Sequence, residues 1–283
     1  MLAAAKINLD LRITGRRDDG YHLLDSIVVF ADIGDELTVE RHKGLTLEIS
    51  GPFSDGLDCG PDNLIMKAAQ LFFKETAISP KVTFKLVKNL PVSSGIGGGS
   101  ADAAAAIRLL LDLYKPEISQ QRIMELALEI GADVPVCLQS YSAQMCGIGE
   151  RITPITIADD IYMLLVNPLK SVSTADVFKA YANSGQNFER EREIIKAPVH
   201  IPLMLDILKD STNSLEQAAC AIESDIGEIL KALDKTEGAL ISRMSGSGAT
   251  CFSLYQTKEE CTAAALKMRK FNKSWWVRET KII

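Results

Sequence analysis

Histidine and tryptophan are scarce in this chain of 283 residues, at three and two copies, and its six cysteines (59, 137, 146, 220, 251 and 261) form no Cys-x-x-Cys pair. His-Glu-x-x-His is absent as well, so the ligand spacings of a transition-metal site are missing. Free buried thiols in a reducing cytosol are the expectation. An excess of positive charge is also lacking: 31 Lys and Arg face 37 Asp and Glu, a net charge of −6. Nucleic acid or an anionic membrane would need a basic face, so neither is an expected partner. An anionic ligand must then be held by local donors. No apolar run approaches the roughly 18 residues of a membrane span. Met1–Asn8 has no apolar centre suited to a signal peptide. A soluble, cytoplasmic protein is expected.

What is present is ordinary globular material, 47% hydrophobic and 24% charged, with enough chain for one large or two modest domains. Leu9, Leu11 and Ile13 alternate with polar residues, and 27–30 is an apolar strand. Residues 37–40 and 45–49 read as a hairpin around Lys43-Gly44. A helix opens at Asp62, strand 82–87 follows, and helices are predicted over 100–113 and 119–130. Strands at 143–146 and 161–166 precede a polar stretch through residue 200. Two helices near 214–233, strands 239–244 and 250–255, helix 257–270 and strand 275–282 complete an α+β alternation. A boundary near Thr153-Pro154 divides the chain into 1–153 and 154–283.

The most informative stretch is Pro91-Val-Ser-Ser-Gly95-Ile-Gly-Gly-Gly-Ser100-Ala-Asp-Ala-Ala-Ala105. Its glycines let backbone turn tightly and approach a ligand with no Cβ in the way. The alanine-rich run after Ser100 has strong helix propensity, which places Ser100 at or beside an N-cap. A helix N-terminus carries about half a positive charge and amides aimed outward, a phosphate cradle that needs no cationic side chain. No Gly-Lys-Ser/Thr closes the loop, so it is not a Walker A sequence. Ser100 replaces the third glycine of the dinucleotide fingerprint, and strands open the chain where a βαβ unit is required, which disfavours a dinucleotide-binding oxidoreductase. A plain turn into a packed helix is the alternative.

Three separated segments resemble the motifs of the GHMP kinases: Ala5-Lys6-Ile-Asn8-Leu9, the Pro91–Ala104 loop, and Met244-Ser-Gly-Ser-Gly-Ala249. Asp19-Gly-Tyr-His22, Asp62-Asn-Leu64 and Gly131-Ala-Asp-Val-Pro135 are similar to the branch that acts on a cytidyl diphosphate of methylerythritol, and argue against a homoserine- or mevalonate-type sibling. The resemblance implies a two-domain fold, with an N-terminal half like ribosomal protein S5 domain 2 and a C-terminal ferredoxin-like α/β sandwich. It implies ATP-dependent phosphorylation of that substrate's 2-hydroxyl, with Mg²⁺ bridging the phosphates, in a monomer or homodimer. One departure is Asn213-Ser-Leu-Glu216, where the family commonly carries Asn-Asp-Leu-Glu.

The same resemblance assigns roles. Asp133 accepts the hydroxyl proton, and Lys6 keeps that carboxylate ionised while offsetting developing charge. Gly95, Gly97, Gly98, Gly99, Ser100 and Ala101 hold the β- and γ-phosphates, beside Pro91, and Asn63 lies near the adenine or ribose. Asp102 is an open choice as a cation ligand, and the 245–248 loop closes over the site. Asn8 joins the substrate site, where Tyr21 stacks on the cytosine, His22 reads its edge, and Phe178 offers an opposing face. From the residues alone, Lys6 reads as a solvated strand lysine, Asp133 as a turn former, Asn63 as a helix cap and Tyr21-His22 as a strand edge. The presence of both Lys6 and Asp133 speaks against a non-catalytic nucleotide-binding protein.

Overall fold

The computed structural model describes residues 1–196 and 198–283. Its elements are β1 (Leu2–Asn8), β2 (Arg12–Arg16), β3 (His22–Arg41), β4 (Thr46–Ser50), α1 (Leu64–Thr76), β5 (Val82–Val87), α2 (Gly98–Tyr114), α3 (Gln120–Ile130) and α4 (Val134–Gln139). They continue with β6 (Ala143–Gly147), β7 (Arg151–Pro154), β8 (Tyr162–Asn167), α5 (Thr174–Asn183), α6 (Ile201–Lys209), α7 (Glu216–Ile222), α8 (Asp225–Leu233), β9 (Ile241–Met244), β10 (Cys251–Tyr255), α9 (Lys258–Phe271) and β11 (Trp276–Lys281). Two compact units are drawn from interleaved segments. The first comprises 1–5, 33–92 and 97–140, the second 6–32, 93–96 and 141–283, so Thr153-Pro154 falls inside the second.

In the first unit, β5 pairs antiparallel with the end of β3 (Glu36↔Val87 to Arg41↔Val82) and parallel with β4 (Thr46↔Thr83 to Ser50↔Val87). The expected 37–49 hairpin is therefore not formed: β5 takes the edge of β3, and β4 is left to its far side. The two strands expected at 27–30 and 37–40 are one continuous strand, β3. The polar break between them has other causes. A Cβ on Gly34 would lie 2.2 Å from the Ala3 carbonyl oxygen, so that glycine marks a close backbone approach and not a turn. Helices α1 to α4 bury an apolar surface whose α2 face is almost all alanine, from Ala101 to Ala106, which lets α1 pack closely with Phe72 and Phe73.

In the second unit, β11-β8-β10-β9 form an all-antiparallel sheet, the α/β sandwich expected of the C-terminal half. Leu164, Val166, Cys251, Tyr255 and Val277 lie at even spacings on their strands, as one face of a sheet requires, and join Ile226, Ile229, Ala265 and Met268 of α8 and α9 in one core. The same unit holds β2, the start of β3, β6 and β7, with Asp25 paired opposite Cys146. Among the described residues, no helix is long and apolar enough to cross a membrane.

Candidate active site

The glycine loop contributes to each unit separately. In the first, Gly97 adopts φ +66° and caps α2, whose first residue is Gly98; the Ala101 amide closes the turn on the Gly97 carbonyl at 2.8 Å. Ser100 is thus inside the first turn, not at its cap. The glycines before it take helical angles and extend the helix by two residues, leaving the amides of 98–100 without intrahelical acceptors. Gly99 is exposed, Ser100 half-buried, and Pro91 and Ala101 buried.

Beneath this turn lies an ion cluster that the motif reading missed. Lys88 Nζ donates to Asp35 Oδ2 at 2.5 Å and to Asp102 Oδ2 at 2.7 Å, and all three side chains are buried. Asp35 Oδ1 also accepts from the Asn89 and Leu90 amides, which pins the chain just before Pro91. A Cβ on Gly98 would sit 3.2 Å from Lys88 Nζ, so the loop backbone rests on the ammonium. Burial pushes the Asp102 carboxyl up to about 7, against the opposing pull of Lys88. Among the described residues, its Oδ1 has no hydrogen-bond partner. Only the lysine three residues before Pro91 signalled this cluster in the sequence.

Asn63 is the N-cap of α1: its Oδ1 accepts from Ile65 N at 2.9 Å, and its Nδ2 donates to the Asp58 carbonyl at 2.8 Å. Asp133 stands at the N-cap position of α4 without a side-chain capping bond, at φ −86°. Its carboxylate is therefore not used to hold the helix start. Pro135 supplies the helical φ there instead.

In the second unit, Lys6 and Asn8 lie two apart on β1 and share a face, as strand alternation requires. Lys6 Nζ donates to Asn8 Oδ1 at 2.9 Å, Asn8 Nδ2 to Ser26 Oγ at 2.7 Å, and Ser26 Oγ to the Asp10 carbonyl at 2.5 Å. Lys6 is 3% exposed, which rules out the solvated-lysine reading. The 245–248 loop is the tight connection between β9 and β10, and Asn213 holds it by donating to the carbonyls of Met244 and Gly246. Ser245 Oγ accepts from Asn8 N and donates to the Gly95 carbonyl, both at 3.0 Å. Gly95 has φ +74°, and a Cβ there would lie 2.5 Å from the Ser245 carbonyl oxygen. This glycine is required by packing as well as by any ligand.

His22 and Phe178, separated by most of the chain, come together: their rings stack at 5.1 Å with 27° between planes. Tyr181, one turn on from Phe178, meets His22 edge-on at 6.0 Å. It was missed, although 178 and 181 are same-face helical spacing. Phe178 therefore backs the imidazole. Tyr21 is 60% exposed. Burial, and then the Arg16 charge, hold the His22 pKa below its ordinary value, favouring a neutral ring that can both donate and accept. Ser214 accepts from Ile13 N at 3.1 Å and donates to Glu189 Oε1 at 2.5 Å, which accounts locally for its place in the Asn213–Glu216 segment.

Among the described residues, no group of three or more His, Cys, Asp or Glu could hold a metal ion.

Residues 63–141 match the GHMP kinases N terminal domain and residues 202–274 the GHMP kinases C terminal model. A 4-diphosphocytidyl-2-C-methyl-D-erythritol kinase from Rhodospirillum rubrum is 41% identical over 281 residues, covering 99% of this chain and 91% of the relative. One of the same name from Paracoccus denitrificans is 44% identical over 276 residues, covering 97% and 93%. A crystal structure of 4-(cytidine 5'-diphospho)-2C-methyl-D-erythritol kinase superposes with TM-score 0.79 at 29% identity, over 100% of this chain and 98% of that one. A homoserine kinase from Cytophaga hutchinsonii, at 15% identity and TM-score 0.64, covering 100% and 96%, shares the fold. The chain belongs to the 4-diphosphocytidyl-2-C-methyl-D-erythritol kinase family of the GHMP kinases.

Proposed function

We propose that this chain transfers the γ-phosphoryl group of ATP to the 2-hydroxyl of 4-diphosphocytidyl-2-C-methyl-D-erythritol, in the cytoplasm, as a step of non-mevalonate isoprenoid precursor synthesis. The observation that carries the reading is the identity of about two residues in five with kinases of that name along 99% of the chain. The capped N-terminus of α2 supports it. There the amides of 98–100 and the Ser100 hydroxyl would hold the β- and γ-phosphates, the Ala101 amide being closed on the Gly97 carbonyl, with Pro91 and Asn63 toward the nucleoside. Bound Mg²⁺ would supply neutralisation of phosphate charge. The 15–16% identity of homoserine and mevalonate kinases speaks to fold only.

Transfer needs the acceptor oxygen in line, its proton removed, and its charge compensated. Asp133 is the proton acceptor in this reading, placed at the start of α4. Lys6 compensates the charge that develops on the acceptor oxygen, its ammonium aimed by Asn8. The substrate's cytosine is read by His22, backed by Phe178, with Tyr21 as stacking face. The test is ADP release with the cytidyl substrate, homoserine and mevalonate in parallel, on wild type, Asp133→Asn and Lys6→Met. Each variant is expected to lose on the order of 10²–10⁴-fold in kcat, with the ATP KM little changed. Turnover of either control substrate in preference to the cytidyl compound overturns the substrate assignment. A variant retaining about half of wild-type kcat overturns that residue's role.

A further inference from the structure

Residues 186–196 form neither helix nor strand, yet Arg192 from this segment is only 8% exposed. Its guanidinium enters a pair of fully buried carboxylates: Nη2 meets Asp10 Oδ2 at 2.5 Å and Nε meets Asp25 Oδ1 at 2.9 Å. The Arg192 amide adds a bond to Asp25 Oδ2 at 2.6 Å. Two buried carboxylates thus share one guanidinium, with the Arg243 charge also acting on Asp10. Apolar residues of similar volume often pack as stably, so such a cluster invites a positional role.

The contacts of Asp10 show what is positioned. Its Oδ1 accepts from Ile27 N at 2.8 Å and its carbonyl from Ser26 Oγ, so Asp10 ties the chain after β1 to β3. Ser26 Oγ in turn accepts from Asn8, and Asn8 Oδ1 from Lys6 Nζ. An unbroken line of buried polar groups thus runs from Arg192 to the ammonium of Lys6. The planar fork of an arginine fixes two carboxylates at a set separation, which a lysine cannot do. The segment that carries it is itself held, by Glu189 N to the Ile13 carbonyl at 2.8 Å and by Ile195 N to Gln144 Oε1 at 3.2 Å.

We infer that Arg192 is a positioning residue for phosphoryl transfer: by clamping Asp10 and Asp25 it sets Ser26 and Asn8, and through them the place of the Lys6 ammonium. The inference rests on the reading of Lys6 as the charge-compensating group. None of the matched motifs contains Arg192, Asp10, Asp25 or Ser26 as a named site residue.

The experiment is a set of steady-state measurements on Arg192→Met, Arg192→Lys and Ser26→Ala, each made in wild type and in Lys6→Met, with thermal melts alongside. Ser26→Ala leaves the ion cluster intact and cuts only the relay, so the inference stays testable if Arg192→Met fails to fold. Displacing a catalytic group by about 1 Å costs on the order of 100-fold. Arg192→Met and Ser26→Ala are therefore expected to lower kcat by roughly 10- to 100-fold with the ATP KM nearly unchanged, and Arg192→Lys by less. In the Lys6→Met background the same changes should cost less than about threefold, because coupled groups are not additive. Folded Ser26→Ala with wild-type kcat overturns the inference, as do equal losses in the two backgrounds, which would mark a general structural effect. If Lys6→Met itself keeps wild-type kcat, it is the role of Lys6 that fails, and the two failures are told apart by that single variant.

Discussion

Placing at position 214 the aspartate that the resemblance leads one to expect is predicted to destabilise this chain. Ser214 is 8% exposed, and its hydroxyl both accepts from Ile13 N and donates to Glu189 Oε1 at 2.5 Å. An aspartate can still accept from Ile13, but it cannot donate to Glu189. Ser214→Asp therefore exchanges a charge-assisted hydrogen bond, worth about 1.5–3 kcal/mol, for two facing carboxylates. Their repulsion at about 4 Å is about 1 kcal/mol in bulk water and about 4 kcal/mol at a protein surface of lower effective dielectric. Glu189 is 33% exposed and has Arg12 Nε 3.8 Å from its other oxygen, so it can swing outward and shed most of that repulsion. The net cost should be about 2–3 kcal/mol, a fall in melting temperature of roughly 4–10 °C. The assay is thermal denaturation of Ser214→Asp, Glu189→Gln and the double variant. A glutamine at 189 can donate where the glutamate cannot, so the double variant should recover at least about 1 kcal/mol of coupling. A Ser214→Asp protein within about 0.5 kcal/mol of wild type, or no recovery in the double variant, would refute the reasoning.

Three further outcomes follow from the same structure. Burial lifts Asp102 to about 7 in the folded chain, well above its unfolded range, so the native state holds an extra proton between about pH 4 and 7, and stability falls as pH rises through that window. Asp102→Asn should remove this dependence, so that its stability relative to wild type rises as pH increases from about 4 to 7; an equal difference at about pH 4 and about pH 8 in denaturant melts would contradict it. Gly95→Ala, at φ +74° with Ser245 backbone 2.5 Å from the new Cβ, should lower the melting temperature without any ligand, whereas Gly99→Ala meets only Leu64 Cδ1 at 3.3 Å and should fold normally while weakening ATP binding. Matching effects of the two on the apo melt would sink that distinction. His22→Ala should narrow the preference for the cytidyl substrate over its uridyl analogue, because one edge reader is lost; kcat/KM for the pair decides it, and an unchanged ratio removes His22 from base recognition.

The fold was legible where one local rule acted alone. The apolar run over 161–166 and the elements expected over 250–255 and 257–270 are β8, β10 and α9, each within about a residue or two, and α9 opens on a Thr257 capping box. It was misread where a residue served a distant partner. Asp32-Ile-Gly-Asp35 looks like a break between strands, but Gly34 makes room for the backbone at Ala3 and Asp35 receives Lys88. Glycine and aspartate are turn formers in isolation, so a reading of neighbours alone splits β3 in two. The alanine run after Ser100 correctly marked a helix, yet its start moved to Gly98 because glycine costs little conformational strain in the first turn after a left-handed cap.

For the candidate site the division is sharper still. Lys6 with Asn8, and His22 with Phe178, were named in the sequence, and each pair is joined in the fold, the first by a strand's period of two and the second only through tertiary packing. Arg192 could not be found that way. It lies in Glu189-Arg-Glu-Arg-Glu193, a mixed charge run of the kind that normally faces water, and its partners Asp10 and Asp25 are 182 and 167 residues distant. Nothing in the run's own pattern separates Arg192 from its exposed neighbour Arg190. What separates them is that two carboxylates, Asp10 in the chain between β1 and β2 and Asp25 on β3, form a buried pair that the Arg192 guanidinium enters. The charge run supplies that cation, so the demand for Arg192 is written at Asp10 and Asp25 and not in the segment that meets it.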